Sequence, residues 1–291
     1  MNLLSKLYKY QKERFPLQIL IFTTISSVLA SATVTNSKSD IKEIILVFLS
    51  AIFFLFHVRV IDESRDAEYD KKFYPDRPVQ TGFISIRELF FADFLGLAFF
   101  LIVAVIYGNA SFILALAMLL FTTLAWKDFF LQKFFLNKPM LYHIINSPQM
   151  IMLQLFIFAI FTDSFSMTKS MWLLAGLAYI NIFVLEVIRK IKRPDKSGKA
   201  GDVYTKSLGF KGALIFTLFL TIISGILFVL LLNELNPISK TFLISGISIL
   251  TIFIFSILGH LFKKSKTTEK VMLLAGVILY VGLNIVVYLS V

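Results

Sequence analysis

Apolar residues in this chain come in long unbroken runs, not in the short alternations of a soluble domain. Runs long enough to cross a bilayer, about 17–25 residues each, lie near 17–35, 42–61, 86–107, 110–128, 141–162, 170–188, 209–232, 238–261 and 270–290. Each predicts a helix, because lipid offers no partner to backbone groups left unpaired. The fourth to sixth runs are interrupted by polar residues. The predicted fold class is all-α, a polytopic membrane protein with nine transmembrane helices. The longest polar stretches, 62–85 and 189–208, follow the second and sixth runs.

Composition agrees with this pattern. Of 291 residues, 57% are hydrophobic, 32 are Phe and 16% are charged, against roughly 25% charged in a soluble domain. Mean hydropathy is +0.81. The absence of cysteine excludes disulfides, thiolate chemistry and zinc–thiolate sites. His57, His143 and His260 lie far apart and form no HxxxH pair; His57 and His260 read as packed or interfacial.

The net charge of +11 reads as membrane topology and not as nucleic-acid binding. With the N-terminus in the cytoplasm, 25 Lys and Arg fall on the inside. Only Lys38, Lys42, Lys169 and Lys240 fall outside, a strong positive-inside bias. One helix more or fewer would scramble it. The chain therefore reads as an integral multi-pass protein of the cell or inner membrane. No cleavable signal peptide is visible, and the basic N-terminal segment predicts a short interfacial helix.

Charge is also concentrated locally. Of 18 carboxylates, six fall between residues 62 and 76: Asp62, Glu63, Asp66, Glu68, Asp70 and Asp76. Asp62, Asp66 and Asp70 recur every fourth residue, which on a helix stacks them on one face. Like charges stacked this way call for a cation opposite, and a hard divalent ion that also binds phosphate is the natural one. Arg59, Arg65, Lys71, Lys72 and Arg77 flank them. Mixed signs suit a metal–phosphate complex, with carboxylates on the ion and Arg or Lys on the remaining phosphate oxygens.

The string Asp62-Glu63-x-x-Asp66-x-x-x-Asp70, followed by Pro75-Asp76-Arg77-Pro78-x-x-x-Gly82, resembles the first aspartate-rich motif of the UbiA superfamily of intramembrane prenyltransferases. That motif reads Asn-Asp-x-x-Asp-x-x-x-Asp and continues to Arg-Pro and a Gly. Asp62 stands at the Asn position and Glu63 at the first Asp position; Asp66, Asp70, Arg77, Pro78 and Gly82 match. The family also has nine transmembrane helices, with this motif after the second on the cytoplasmic side. The resemblance implies one domain over residues 1–291, built around a central cavity open to the cytoplasm. Its layout covers the chain, but in detail it rests on about twenty residues.

A second motif in the family binds a second Mg²⁺ with the diphosphate. The corresponding segment here runs Glu186-Val-Ile-Arg189-Lys190-Ile-Lys192-Arg193-Pro194-Asp195 and on to Asp202. It has no Asp-x-x-x-Asp, and it is markedly basic. Glu186 lies in the last apolar turn, where a carboxylate needs a metal or an ion-pair partner. Asp195 and Asp202 are further candidates.

The resemblance implies a Mg²⁺-dependent transfer of an isoprenoid group from a prenyl diphosphate to a lipophilic acceptor, with an aromatic ring as the expected nucleophile. Asp62, Glu63, Asp66, Asp70 and Asp195 are the expected metal ligands. Asp66, Asp70 and Glu186 are the expected catalytic residues, and Arg59, Lys71, Arg77, Arg189, Lys190 and Arg193 are expected to hold the diphosphate. Expected partners are the donor, the acceptor and the lipid bilayer. Two alternatives remain open. One is a polyprenyl-phosphate phosphoribosyltransferase-like enzyme of the same superfamily, and the other is a secondary transporter or divalent-ion permease. The Asp-Gly-x-x-Ala-Arg signature of CDP-alcohol phosphotransferases is absent.

Other polar residues at membrane depth are Asp93, Trp126, Lys127, Asp128, Tyr142, His143, Asn146, Gln149, Gln154 and Asn181. For these, helix–helix hydrogen bonding and a Pro148 kink stand beside a substrate role.

Overall fold

The computed structural model describes residues 2–131, 134, 139–196, 204–235 and 239–291. Lys133, Lys138 and Asp202, and the side chain of His143, lie outside the described residues. The helices are α1 (Leu3–Arg14), α2 (Leu17–Val34), α3 (Ile41–Arg65), α4 (Ala67–Phe73), α5 (Ile86–Ile106) and α6 (Asn109–Trp126). They continue as α7 (Pro139–Asn146), α8 (Pro148–Thr162), α9 (Lys169–Lys190), α10 (Tyr204–Leu235), α11 (Lys240–Lys263) and α12 (Lys266–Leu289). Short 3₁₀ turns cover Asp128–Phe130 and Pro194–Lys196.

Among the described residues, nine segments are long and apolar enough to span a membrane. They match the nine predicted runs, with two differences in form. The seventh span, Tyr204–Leu235, is interrupted at Gly209, whose φ of +71° is not helical. The fifth span, Met140–Thr162, is two helices joined at Ser147. Pro148 causes the break, since it has no N–H to give to the preceding turn and sits at the first position of α8.

Polar residues at the helix ends set the boundaries. Asp40 caps α3 by accepting the Glu43 N–H at 2.8 Å. Ser85 and Glu88 form a reciprocal capping box at the start of α5. The connection from α5 to α6 turns at Gly108, whose φ of +114° is open only to glycine among common residues.

The spans close into a ring. Each of α2, α3, α5, α6, α8, α9, α10, α11 and α12 packs on the next, and α12 returns to α2. Two apolar cores fill the ring. One joins α2 with α9–α12 around Leu174, Val184, Phe228 and Leu283. The other joins α3, α5, α6 and α8 around Phe54, Phe100, Met118 and Phe156. A smaller core seats α1 against α3 and α5 through Tyr10, Val60 and Leu89. Phe94, Phe219, Phe255 and Leu274 point outward, as expected of surfaces in contact with lipid.

Several polar residues at membrane depth bond helix to helix. Gln154 on α8 accepts from Ser27 at 2.8 Å and donates to Ser31 at 2.6 Å, both on α2. Ser224 on α10 donates to Asn181 on α9 at 2.6 Å. His57 and Asp93 pair at 2.8 Å between α3 and α5. His260 is buried and contacts Thr268 at 2.9 Å. Each bond satisfies groups that lipid could not.

Candidate active site

The ends of α3, α8 and α9, together with α4 and α7, surround a polar cavity of about 490 Å³. Asp62, Asp66 and Asp70 lie in its wall. They do not sit on one continuous helix as expected: α3 stops at Arg65, and Asp66, with φ −89° and ψ 7°, begins α4. The stacking survives the break, because the Asp66 N–H still bonds the Asp62 carbonyl at 2.9 Å and the Asp70 N–H bonds the Asp66 carbonyl at 2.8 Å.

Arginines are threaded through this wall. Arg65 contacts Asp62 at 2.8 Å and Asp66 at 2.9 Å, and it also donates to the Tyr142 hydroxyl. It lies 4.0 Å from Asp128, whose carboxyl is pushed up by burial against the pull of Arg65. Asp70 accepts from Arg14 at 3.2 Å and from Arg77, and the Arg77 guanidinium rests 3.8 Å from the centre of the Tyr74 ring. Gly82, at φ +73°, turns the chain between this segment and α5.

Glu63 faces elsewhere. It follows Asp62 by one residue and so points about 100° around the helix. It is fully buried, and its Oε1 accepts from Arg14 Nε at 2.6 Å, from the Tyr10 hydroxyl at 3.2 Å and from Arg59. It does not line the cavity. The expected ligand at this position is instead an inward anchor that holds α1 and two arginines.

The opposite wall is the end of α9. Glu186 accepts from Arg189 and Lys190, each at 2.6 Å. Asp62 lies within electrostatic reach of both Glu186 and Lys190, so the two expected motifs do face one another. Arg59, Arg77, Arg189 and Lys190 all line the cavity. Arg193 does not: it turns to Glu269 at 3.3 Å and to Asp195 at 3.5 Å, tying the end of α9 to α12. Asp195 and Lys71 are exposed and lie outside the cavity wall.

Sequence reasoning gave no site role to Arg14, Tyr69 or Tyr74, which also line the cavity. Arg14 had a faint signal as the arginine that follows three lysines and ends the predicted interfacial helix. The tyrosines had none. Asn146 Oδ1 and Gln149 Oε1, from two cavity-lining residues, are buried without a hydrogen-bond partner. A narrower cavity of about 180 Å³ adjoins, lined largely by apolar groups of α2, α8 and α9. Met150 and Ile182 line both cavities.

No three carboxylates or histidines among the described residues converge on one metal-sized point. The donor set is nevertheless all hard oxygen, and Arg65 already supplies a cation between Asp62 and Asp66. A Mg²⁺ ion fits this chemistry, by exchange with a guanidinium that can turn to phosphate.

The sequence matches the UbiA prenyltransferase family over residues 19–280. No curated protein matches the chain. Among solved structures, an apo UbiA homologue from Aeropyrum pernix K1 aligns with a TM-score of 0.67 at 16% identity, covering 92% of this chain and 97% of that one. A UbiA homologue from Archaeoglobus fulgidus bound to GPP and Mg²⁺ aligns at 0.62 and 16% identity, covering 96% and 99%. A structure described for digeranylgeranylglyceryl phosphate synthase aligns at 0.60 and 21% identity, covering 95% and 99%.

Proposed function

The chain belongs to the UbiA prenyltransferase family, and we propose that it moves an isoprenoid group from a prenyl diphosphate to a lipophilic, aromatic acceptor. The observation that carries this reading is the shared cavity. Carboxylates of α3 and α4 face a carboxylate and cations of α9, and an apolar cavity adjoins through Met150 and Ile182. Diphosphate suits the first space, and a chain of CH₂ and methyl groups suits the second.

Asp62, Asp66 and Asp70 would hold Mg²⁺, which supplies charge neutralisation on the diphosphate oxygens. Arg65, on leaving Asp62 and Asp66, is free for phosphate together with Arg59, Arg77, Arg189 and Lys190. These groups stabilise the negative charge that grows on the leaving diphosphate as the allylic C–O bond breaks. The acceptor carbon or oxygen then bonds to the prenyl carbon and loses its proton. Tyr142, held by Arg65, and Gln149 are placed to orient the donor or acceptor. The apolar lining of the adjoining cavity would keep water from the reactive carbon. The loop charges support a cytoplasmic cavity mouth and N-terminus. Glu63, Lys71, Arg193 and Asp195 take no part in this reading, since none of them lines the cavity.

The test is an assay of purified protein in detergent with C10 to C20 prenyl diphosphates and a panel of lipophilic phenols and naphthols. Products are identified by mass spectrometry. The expected result is a prenylated acceptor and free diphosphate in equal amounts, abolished by EDTA and restored by Mg²⁺. A ribosylated lipid product, or no consumption of any prenyl diphosphate, contradicts the reading.

A further inference from the structure

The cavity is lopsided in charge. Its α3–α4 side carries three carboxylates, while among the described residues its α9 side carries one, Glu186, beside Arg189, Lys190 and Lys192. Glu186 and Lys190 stand one helical turn apart, with Nζ 2.6 Å from Oε1 and side chains only 21% (Lys190) and 25% (Glu186) exposed. Lys190 also feels Asp62 across the cavity. The ammonium thus sits beside one carboxylate and opposite another, which is where a second divalent ion would need its ligands. Hard cations take several oxygens, and Glu186 is already shared between Arg189 and Lys190.

The charge balance points the same way. Among the described residues, seven cationic side chains and four carboxylates line the cavity, a surplus of three (7 − 4) that is close to the charge of about −3 on a diphosphate ester near neutral pH. One divalent ion on the carboxylate side leaves the complex modestly positive; a second would add uncompensated charge to a confined space.

We propose that the Lys190 ammonium acts as a built-in cation on the α9 side, so that the site takes a single divalent ion, held by the Asp62–Asp66–Asp70 wall. This rests on the diphosphate reading above. Lys190 grips the diphosphate directly, and Glu186 positions it.

The experiment counts Mn²⁺ bound to the full-length protein by electron paramagnetic resonance, with geranyl S-thiolodiphosphate as a non-reacting donor analogue. The wild-type chain is expected to bind one Mn²⁺. Lys190→Asp, which places a carboxylate one turn from Glu186, is expected to bind two. Lys190→Met is expected to keep one Mn²⁺ while binding the analogue roughly tenfold to a hundredfold more weakly. Two Mn²⁺ in the wild type, only one in Lys190→Asp, or unchanged analogue affinity in Lys190→Met overturns the proposal and leaves the diphosphate site standing. No binding of the analogue at any Mn²⁺ concentration overturns both.

Discussion

Asp66→Ala lowers Mg²⁺-dependent prenyl transfer by at least about 1000-fold and leaves the protein folded. The two effects separate because of where Asp66 sits. Its side chain is 45% exposed and makes no capping bond to α4, and among the described residues it pairs with Arg65. Losing an ion pair this open to solvent costs only about 0–1 kcal/mol of stability, and Arg65 keeps Asp62 and Tyr142. Asp70→Ala is a poorer probe. Asp70 is 2% exposed and holds both Arg14 and Arg77, so its loss mixes folding with chemistry. Initial rates at saturating Mg²⁺, with thermal unfolding measured in parallel, check the Asp66 expectation. A variant that keeps a tenth or more of wild-type activity at about the wild-type melting temperature would show that Asp66 does not hold the ion.

Glu63→Ala has the opposite profile and destabilises the fold by about 3–5 kcal/mol. The fully buried carboxylate gathers Arg14, Arg59 and the Tyr10 hydroxyl. Removing it leaves the Arg59 guanidinium, 20% exposed, without its ion-pair partner, and leaves Arg14, 14% exposed, with Asp70 alone. That residual exposure places the loss toward the lower end of the range. Tyr10 and the small core that seats α1 loosen with it. Activity falls as well, because Arg14 and Arg59 reach the cavity wall. Glu63→Gln, which keeps an acceptor oxygen but no charge, falls between. Thermal unfolding in detergent measures both. A shift worth less than about 1 kcal/mol for Glu63→Ala would mean that the three partners find water or one another at no cost, contrary to their burial.

These two neighbours show how far sequence could be read. The helical period that set Asp62, Asp66 and Asp70 on one face also turns Glu63 away from it. The family motif places an acid at that position, but the helical angle decides where it points. The break at Asp66 was hidden because i to i+4 spacing is compatible with one helix or with two joined in line. The nine spans were legible because lipid admits so few alternatives, and Pro148 announced the break in the fifth. Arg14, Tyr69 and Tyr74 belong to the cavity through tertiary contact alone. The fate of Arg193 was equally invisible, since its partner Glu269 lies 76 positions along the chain (269 − 193), at the start of α12. Glu186 could be anticipated, since a carboxylate in the last apolar turn has to be neutralised, and it is, by Arg189 and Lys190.

On the function proposed above, one cavity, walled by α3–α4 and by the end of α9, holds a metal-bound prenyl diphosphate. The most direct test is an experimental structure with geranyl S-thiolodiphosphate and Mn²⁺, with the ion located by its anomalous signal. The expected result is a peak bonded to oxygens of Asp62, Asp66 or Asp70, phosphate oxygens reaching Lys190, and the geranyl chain passing Met150 and Ile182. A peak elsewhere in the protein, or an analogue bound away from both walls, would contradict it.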